Sequence, residues 1–156
     1  MAERDGLTGM LNLRTFRAML NREHELRARS GRGGYGILLV DMDDLKQLND
    51  EHGHQAGNRA ITSVAGAIQR AIRTTDMGAR YGGDEFIVFL PEATADVAEA
   101  VAQRIRNNVY RSLFPVGERL QRINISVGAA NYPRDGAQYD DLLAPADRRR
   151  HRDRQL

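Results

Sequence analysis

Two adjacent glycines, Gly82 and Gly83, stand between Arg80-Tyr81 and two carboxylates, Asp84 and Glu85, and the apolar run Phe86-Ile87-Val88-Phe89-Leu90 follows at once. This order demands a chain reversal beside a buried strand. The pattern predicts a tight two-residue hairpin turn in which both glycines take positive φ. Asp84 and Glu85 then sit at the tip of a hairpin rooted in the interior, where paired carboxylates can hold a hard cation against a phosphate. Standing alone, the same residues read as an acidic surface turn, so the remaining segments decide.

Residues 35–40 (YGILLV) are a second unbroken apolar run, bounded by glycines and by Asp41, the pattern of a central strand covered on both faces. Before it, Asp5-Gly6-Leu7-Thr8-Gly9 reads as a turn, and Asn12 caps a helix to about Arg29 with Phe16, Met19 and Leu20 inward. Residues 30–34 (SGRGG) break that helix. A short helix through Leu48 follows the strand, and a turn spans residues 51–54. Residues 55–72 are predicted helical, with Ala56, Ala60, Ile61, Val64, Ala65, Ile68 and Ile72 on one face. A second amphipathic helix covers 95–113 through Val97, Val101, Ile105 and Val109, and 122–130 alternates as a strand. Helices alternate with strands, but the hairpin prevents an all-parallel sheet. The prediction is an α/β fold with a mixed, mainly antiparallel central sheet flanked by helices.

At 156 residues the chain suits one domain. Its 28% charged and 41% apolar residues fit a soluble, globular protein. No apolar run approaches the roughly 20 residues of a membrane span, and the N-terminus lacks an export pattern. There is no cysteine, which excludes disulfides and thiolate chemistry and fits a cytoplasmic location. The net charge of +2 hides an asymmetry: residues 148–156 (RRRHRDRQL) carry five Arg and one Asp, a local +4 that leaves −2 for residues 1–147. A basic nucleic-acid surface is therefore not a property of the domain, and the predicted organisation is a domain over 1–147 with a mobile, Arg-rich tail over 148–156. Among 23 basic residues, Lys46 is the one lysine.

Asp41 ends one buried strand and Asp84 precedes another. If the strands are neighbours, their carboxylates converge at one sheet edge, which suits Mg²⁺, with Mn²⁺ as a substitute, and substrate phosphates. Amides at 43–46, at a helix start, face phosphate oxygens in that arrangement, and Lys46 adds a point charge. The alternative for 41–44 is an acidic helix-capping loop. No Gly-rich P-loop or dinucleotide-binding motif is present.

Together these segments resemble the GGDEF domain of diguanylate cyclases. The resemblance covers residues 5 to about 147 and rests on Asp5-x-Leu-Thr-Gly-x-x-Asn12, on Asp41-x-Asp-x-x-Lys46-x-x-Asn49-Asp50-x-x-Gly53-His54-x-x-Gly57, on Arg80-Tyr-Gly-Gly-Asp-Glu-Phe86 and on Ser126-Val-Gly128. It implies a nucleotidyl-cyclase-like palm and condensation of two GTP into cyclic di-GMP with release of two pyrophosphates. By resemblance, Asp41, the Met42 carbonyl and Asp84 hold the metal. Glu85 is a further metal or proton-handling group. Asp44, Leu45, Lys46 and Gly83 approach the phosphates, and Asn49 and position 58 read guanine. Two domains must face each other, so a homodimer is implied. Arg73-x-x-Asp76 stands where family members carry a product-binding inhibitory site.

The chain departs from the family in two places. Asn58 stands where guanine-reading members usually carry Asp. An amide turns a donor toward the guanine N1–H and N2 donors, which implies relaxed base selectivity or reduced activity. The usual apolar last helix and its phosphate-binding Lys are replaced by the Arg-rich tail, in which Arg154 aligns with the Lys. Leu45, where an aromatic is common, and Leu13, where Arg is common, are smaller differences. The competing reading is a weak or inactive domain that acts as a cyclic di-GMP receptor through Arg73 and Asp76. The first motif begins four residues into the chain, which fits a piece of a longer protein.

Overall fold

A computed structural model describes residues 3–31 and 33–155. Arg32, in the predicted break, and Leu156, at the end of the predicted tail, lie outside the described residues. In chain order the elements are β1 (Leu11–Asn12), α1 (Leu13–Ser30), β2 (Tyr35–Met42), α2 (Leu45–His52), α3 (His54–Ala71), β3 (Met77–Arg80), β4 (Glu85–Pro91), α4 (Ala95–Arg111), β5 (Phe114–Val116), β6 (Arg119–Gln121), β7 (Ile125–Tyr132) and α5 (Tyr139–Gln155).

The apolar run of β2 makes it central. It pairs antiparallel with β4 on one side and β7 on the other. Beyond β4 lies antiparallel β3, and the two-residue β1 closes the edge in parallel, giving the order β1-β3-β4-β2-β7. Alternate residues of β2 feed two cores. Leu38, Val40 and Met42 pack with Phe86, Val88, Val64, Ile68 and Ile105 beneath α2, α3 and α4. Tyr35, Ile37 and Leu39 pack with Ile87, Phe89, Phe16, Leu20, Leu142 and Ala146 beneath α1 and α5. A strand buried on both faces needs no polar alternation, which is why its sequence reads as a continuous run. The sheet is mixed and mainly antiparallel with helices on both faces, as predicted.

Several local expectations need correction. Neither Gly82 nor Gly83 has a left-handed φ, so the two-glycine turn is not formed. Arg80 pairs with Phe86, and the wider loop between them is closed by the Tyr81 and Gly82 amides donating to the Glu85 carbonyl at 2.8 and 3.2 Å. The Arg80 guanidinium clamps the loop, donating to Gly82 O and Gly83 O at 3.2 and 2.9 Å while paired with Asp5 at 3.2 Å. Met19 and Val97 face outward, and His24 takes an inner position on α1, hydrogen-bonded to Tyr35 Oη at 2.7 Å. The last strand begins at Ile125 rather than residue 122.

The largest correction concerns the tail. Residues 148–154, expected to be mobile, continue α5 as helix, with Pro145 inside it. Polar anchors replace the absent apolar face. Arg149 forms a two-bond pair with Asp135 at 3.0 and 3.0 Å and donates to Ala129 O at 2.8 Å. Asp153 accepts from Val127 N at 2.7 Å and pairs with Arg106 at 3.2 Å. Gly128 lets the helix sit directly on β7: a Cβ there would collide with Ala146 O and Arg150 N and lie 2.9 Å from Arg150 Cα.

Candidate active site

The β2–β4 register sets Asp41 opposite Glu85, and Met42 N donates to Asp84 O at 2.9 Å. Three predicted metal-binding positions, Asp41, Met42 and Asp84, thus meet at the end of the sheet where α2 begins. Asp44, at φ 60°, turns the chain from β2 into α2, and no side chain caps that helix. The first-turn amides of any helix lack intrahelical acceptors, and here Asp44, Leu45 and Lys46 at that helix start border the same region. Asp41, Met42, Asp44, Leu45, Lys46, Asp50, Asp84 and Arg154 line an open cleft of ≈ 550 Å³. Gly83 is outside this lining, but a Cβ there would meet nothing within 4 Å, leaving its backbone open to approach.

Burial, with Asp84 beside it, pushes the Asp41 carboxyl up to about 6, against the pull of Arg150. Burial also raises Asp43, against a hydrogen bond from Ser126 Oγ at 2.9 Å and the charge of Arg154. Carboxylates crowded enough to disfavour one another's charge mark a place that a cation stabilises. Among the described residues no three acidic or histidine side chains form a ready-made metal cage. Mg²⁺ takes one or two carboxylates and completes its octahedron with substrate phosphates and water. The donors fit: Asp41 and Asp84 carboxylates, the Met42 carbonyl and a reserve carboxylate at Glu85.

Asn49 Oδ1 is buried without a hydrogen-bond partner, held against α3 where a Cβ on Gly57 would overlap it. An orphaned buried acceptor is costly unless a ligand donor completes it. Asn58 is exposed on α3 and lines a different cavity with Leu7, Thr62, Leu113 and Phe114. The structure does not bring it into the carboxylate cleft. Arg154 reaches the cleft, but rests 3.9 Å from Asp43 and 3.6 Å from Asp44. Arg73 and Asp76 share one turn, in which Asp76 Oδ2 accepts from Arg73 N at 2.7 Å. This turn leads into the start of β3, whereas the carboxylates lie beyond its far end at Arg80. This turn and the carboxylate cleft are therefore separate.

Residues 2–155 match the family described as diguanylate cyclase, GGDEF domain. The chain belongs to this family. It is 39% identical over 113 residues to Diguanylate cyclase A of Treponema denticola, covering 72% of this chain and 30% of that protein. It is 34% identical over 149 residues to the response regulator PleD of Caulobacter vibrioides, covering 94% and 33%. The GGDEF domain of DgcB from Caulobacter crescentus, solved in complex with c-di-GMP, superposes with a TM-score of 0.89 at 28% identity, covering 99% of this chain and 91% of that one. The chain spans between 30% and 40% of the length of the first curated relatives it matches. The fold is the palm of GGDEF domains.

Within this GGDEF domain, sequence reasoning missed Arg150. Its side chain is 13% exposed, and its guanidinium lies 3.1 Å from Glu85 and 3.7 Å from Asp41, with Asp147 as a third partner. The available signal was spacing: Leu142, Ala146 and Arg150 recur every four residues, which puts Arg150 on the buried stripe of a helix. Ser126 is a second case. It lies within the quoted Ser-Val-Gly segment, and its bond to Asp43 ties β7 to the chain leaving β2.

Proposed function

We propose that this domain condenses two GTP molecules into cyclic di-GMP, working as a pair of facing copies. The observation that carries the reading is the meeting of Asp41, Met42 and Asp84 at one sheet end, with Lys46 and the start of α2 beside them. Mg²⁺ bound at Asp41, the Met42 carbonyl and Asp84 would neutralise triphosphate charge and acidify the attacking hydroxyl. Lys46 and the first amides of α2 hold phosphate oxygens, and Arg154 supplies a further cation at the cleft. Asn49 Oδ1 accepts a hydrogen bond from guanine. Glu85 takes the proton of the 3′-hydroxyl. The 3′-oxygen then bonds to the α-phosphorus of the GTP on the facing copy, and the bond to the β-phosphate breaks to release pyrophosphate. Each copy carries one nucleotide, so both must meet for the ring to close.

Incubation with GTP and Mg²⁺, followed by chromatographic detection of cyclic di-GMP and pyrophosphate, tests this. Product is expected from the wild type and none from Asp84→Asn; no product from concentrated, dimeric wild type sinks the reading. A second reading, a receptor for cyclic di-GMP, is favoured by Arg73, whose side chain is exposed on the turn with Asp76. An Arg fork suits a phosphate or a guanine edge. Calorimetric binding of cyclic di-GMP that Arg73→Ala abolishes, in protein that makes no product, selects the receptor.

A further inference from the structure

The basic side chain closest to the carboxylates is not Lys46 but Arg150. Its position is built into the fold: Ala146 O and Arg150 N, the partners of one helical turn, rest on β7 where Gly128 has no side chain. From that seat the guanidinium reaches Glu85 at 3.1 Å and Asp41 at 3.7 Å. Asp147, one turn back on α5, is its other partner and is half exposed toward solvent. Arg150 therefore has two carboxylate stations, one at the cleft and one on its own helix.

We propose that Arg150 is a resident counter-cation that competes with divalent metal for Asp41 and Glu85. The inference rests on the metal reading of Asp41 and Asp84. An ion bound to Asp41 at the roughly 2.0–2.1 Å of a Mg²⁺–oxygen bond lies within a few ångströms of the guanidinium, inside a partly buried site where like charges repel strongly. Metal entry thus costs Arg150 its Glu85 and Asp41 partners and leaves it held by Asp147 alone. Free metal is a poor ligand for this domain, whereas a metal–triphosphate complex brings phosphate oxygens that give the displaced guanidinium a new partner. Arg150 in this way favours joint arrival of metal and nucleotide.

The test is Mn²⁺ binding to the nucleotide-free protein, read from the loss of the free-ion electron paramagnetic resonance signal. Arg150→Gln keeps polarity but removes the charge, and is expected to bind Mn²⁺ at least tenfold more tightly than wild type. Arg150→Lys keeps the charge and should stay within about threefold of wild type. Equal or weaker binding by Arg150→Gln overturns the proposal, as does tightening of the same size in Arg150→Lys. Should Arg150→Gln fail to fold by circular dichroism, the wild type still decides: the Arg150 Nε–H resonance must shift when Mg²⁺ alone is added, and a static resonance refutes competition. If wild type binds Mn²⁺ through Asp84, lost in Asp84→Asn, but is indifferent to Arg150, this inference alone fails. If no variant binds Mn²⁺, the metal reading fails with it.

Discussion

Gly128→Ala is the substitution that most directly tests how α5 is held. The new methyl would overlap the backbone at Ala146 O and Arg150 N and stand 2.9 Å from Arg150 Cα, and no rotamer change relieves a clash with backbone. Restoring an ordinary contact of about 3.5–4.0 Å at the Ala146 carbonyl, the nearest atom, requires α5 to lift by roughly 1.5–2 Å. That travel takes the Arg150 guanidinium, now 3.1 Å from Glu85, beyond the roughly 4 Å limit of an ion pair. Overpacking of this kind costs about 1–3 kcal/mol, and the stiffer unfolded chain returns about 0.4–1 kcal/mol. The expected net loss is about 1–2 kcal/mol, or roughly 2–8 °C in Tm for a domain of this size. Urea titration followed by far-ultraviolet circular dichroism measures it, with the m-value unchanged because the same surface unfolds. A loss below about 0.5 kcal/mol would show that α5 does not bear on β7 as described.

Three further outcomes are expected. Asn58 lies outside the carboxylate cleft but one residue beyond Gly57, against which Asn49 rests. If a guanine held by Asn49 extends toward that neighbouring cavity, Asn58→Asp supplies an acceptor for its edge and should raise the preference for GTP over ATP by roughly one to two decades in kcat/KM, worth about 1–3 kcal/mol. Identical, strict GTP use before and after leaves position 58 outside the nucleotide site. Gly57→Ala improves helix propensity by up to about 1 kcal/mol but displaces the Asn49 amide, so thermal stability should hold or rise while KM for GTP rises at least about tenfold; an unchanged KM removes Asn49 from the nucleotide site. Asp41, raised to about 6 when folded, holds its proton more tightly in the native state, so its contribution to stability is complete below about pH 4 and is lost as pH rises through 6. After allowance for solvent screening this amounts to about 1 kcal/mol in metal-free protein, and the difference between wild type and Asp41→Asn in urea titrations at pH 4.5 and 7 should show it with that sign.

How much could be read beforehand depended on whether a signal was local. β2 and β4 were legible because a strand buried on two faces writes an apolar run, and the carboxylates beside them followed from where those runs stop. The loop between β3 and β4 was misjudged because two glycines suggest a turn by local propensity, whereas Arg80, fixed by Asp5 from the start of the chain, shapes it instead. β1, β5 and β6 are two or three residues long and carry no periodicity to detect. The Arg-rich segment failed for a different reason. A run of charge marks solvation by local pattern, but each of Arg149, Arg150 and Asp153 meets a partner more than ten residues away. Long-range ion pairs leave no trace in the local pattern.

The charge around the cleft links that helix to the chemistry. Asp41, Asp43, Asp44, Asp50, Glu51, Asp84 and Glu85 stand there against Lys46, Arg150 and Arg154, seven carboxylates to three cations. The surplus is negative, so a bare triphosphate meets repulsion and needs accompanying metal to approach. Two of the three cations lie on α5, within one helical turn of each other, and both are already paired with carboxylates. They can serve a nucleotide only by leaving those partners, and the carboxylates that Arg150 leaves, Asp41 and Glu85, belong to the proposed metal site. On the proposed mechanism, metal arrival and release of Arg150 toward phosphate are two halves of one exchange. On that logic, neutralising both arginines should weaken Mg–GTP binding even while it tightens binding of the metal alone.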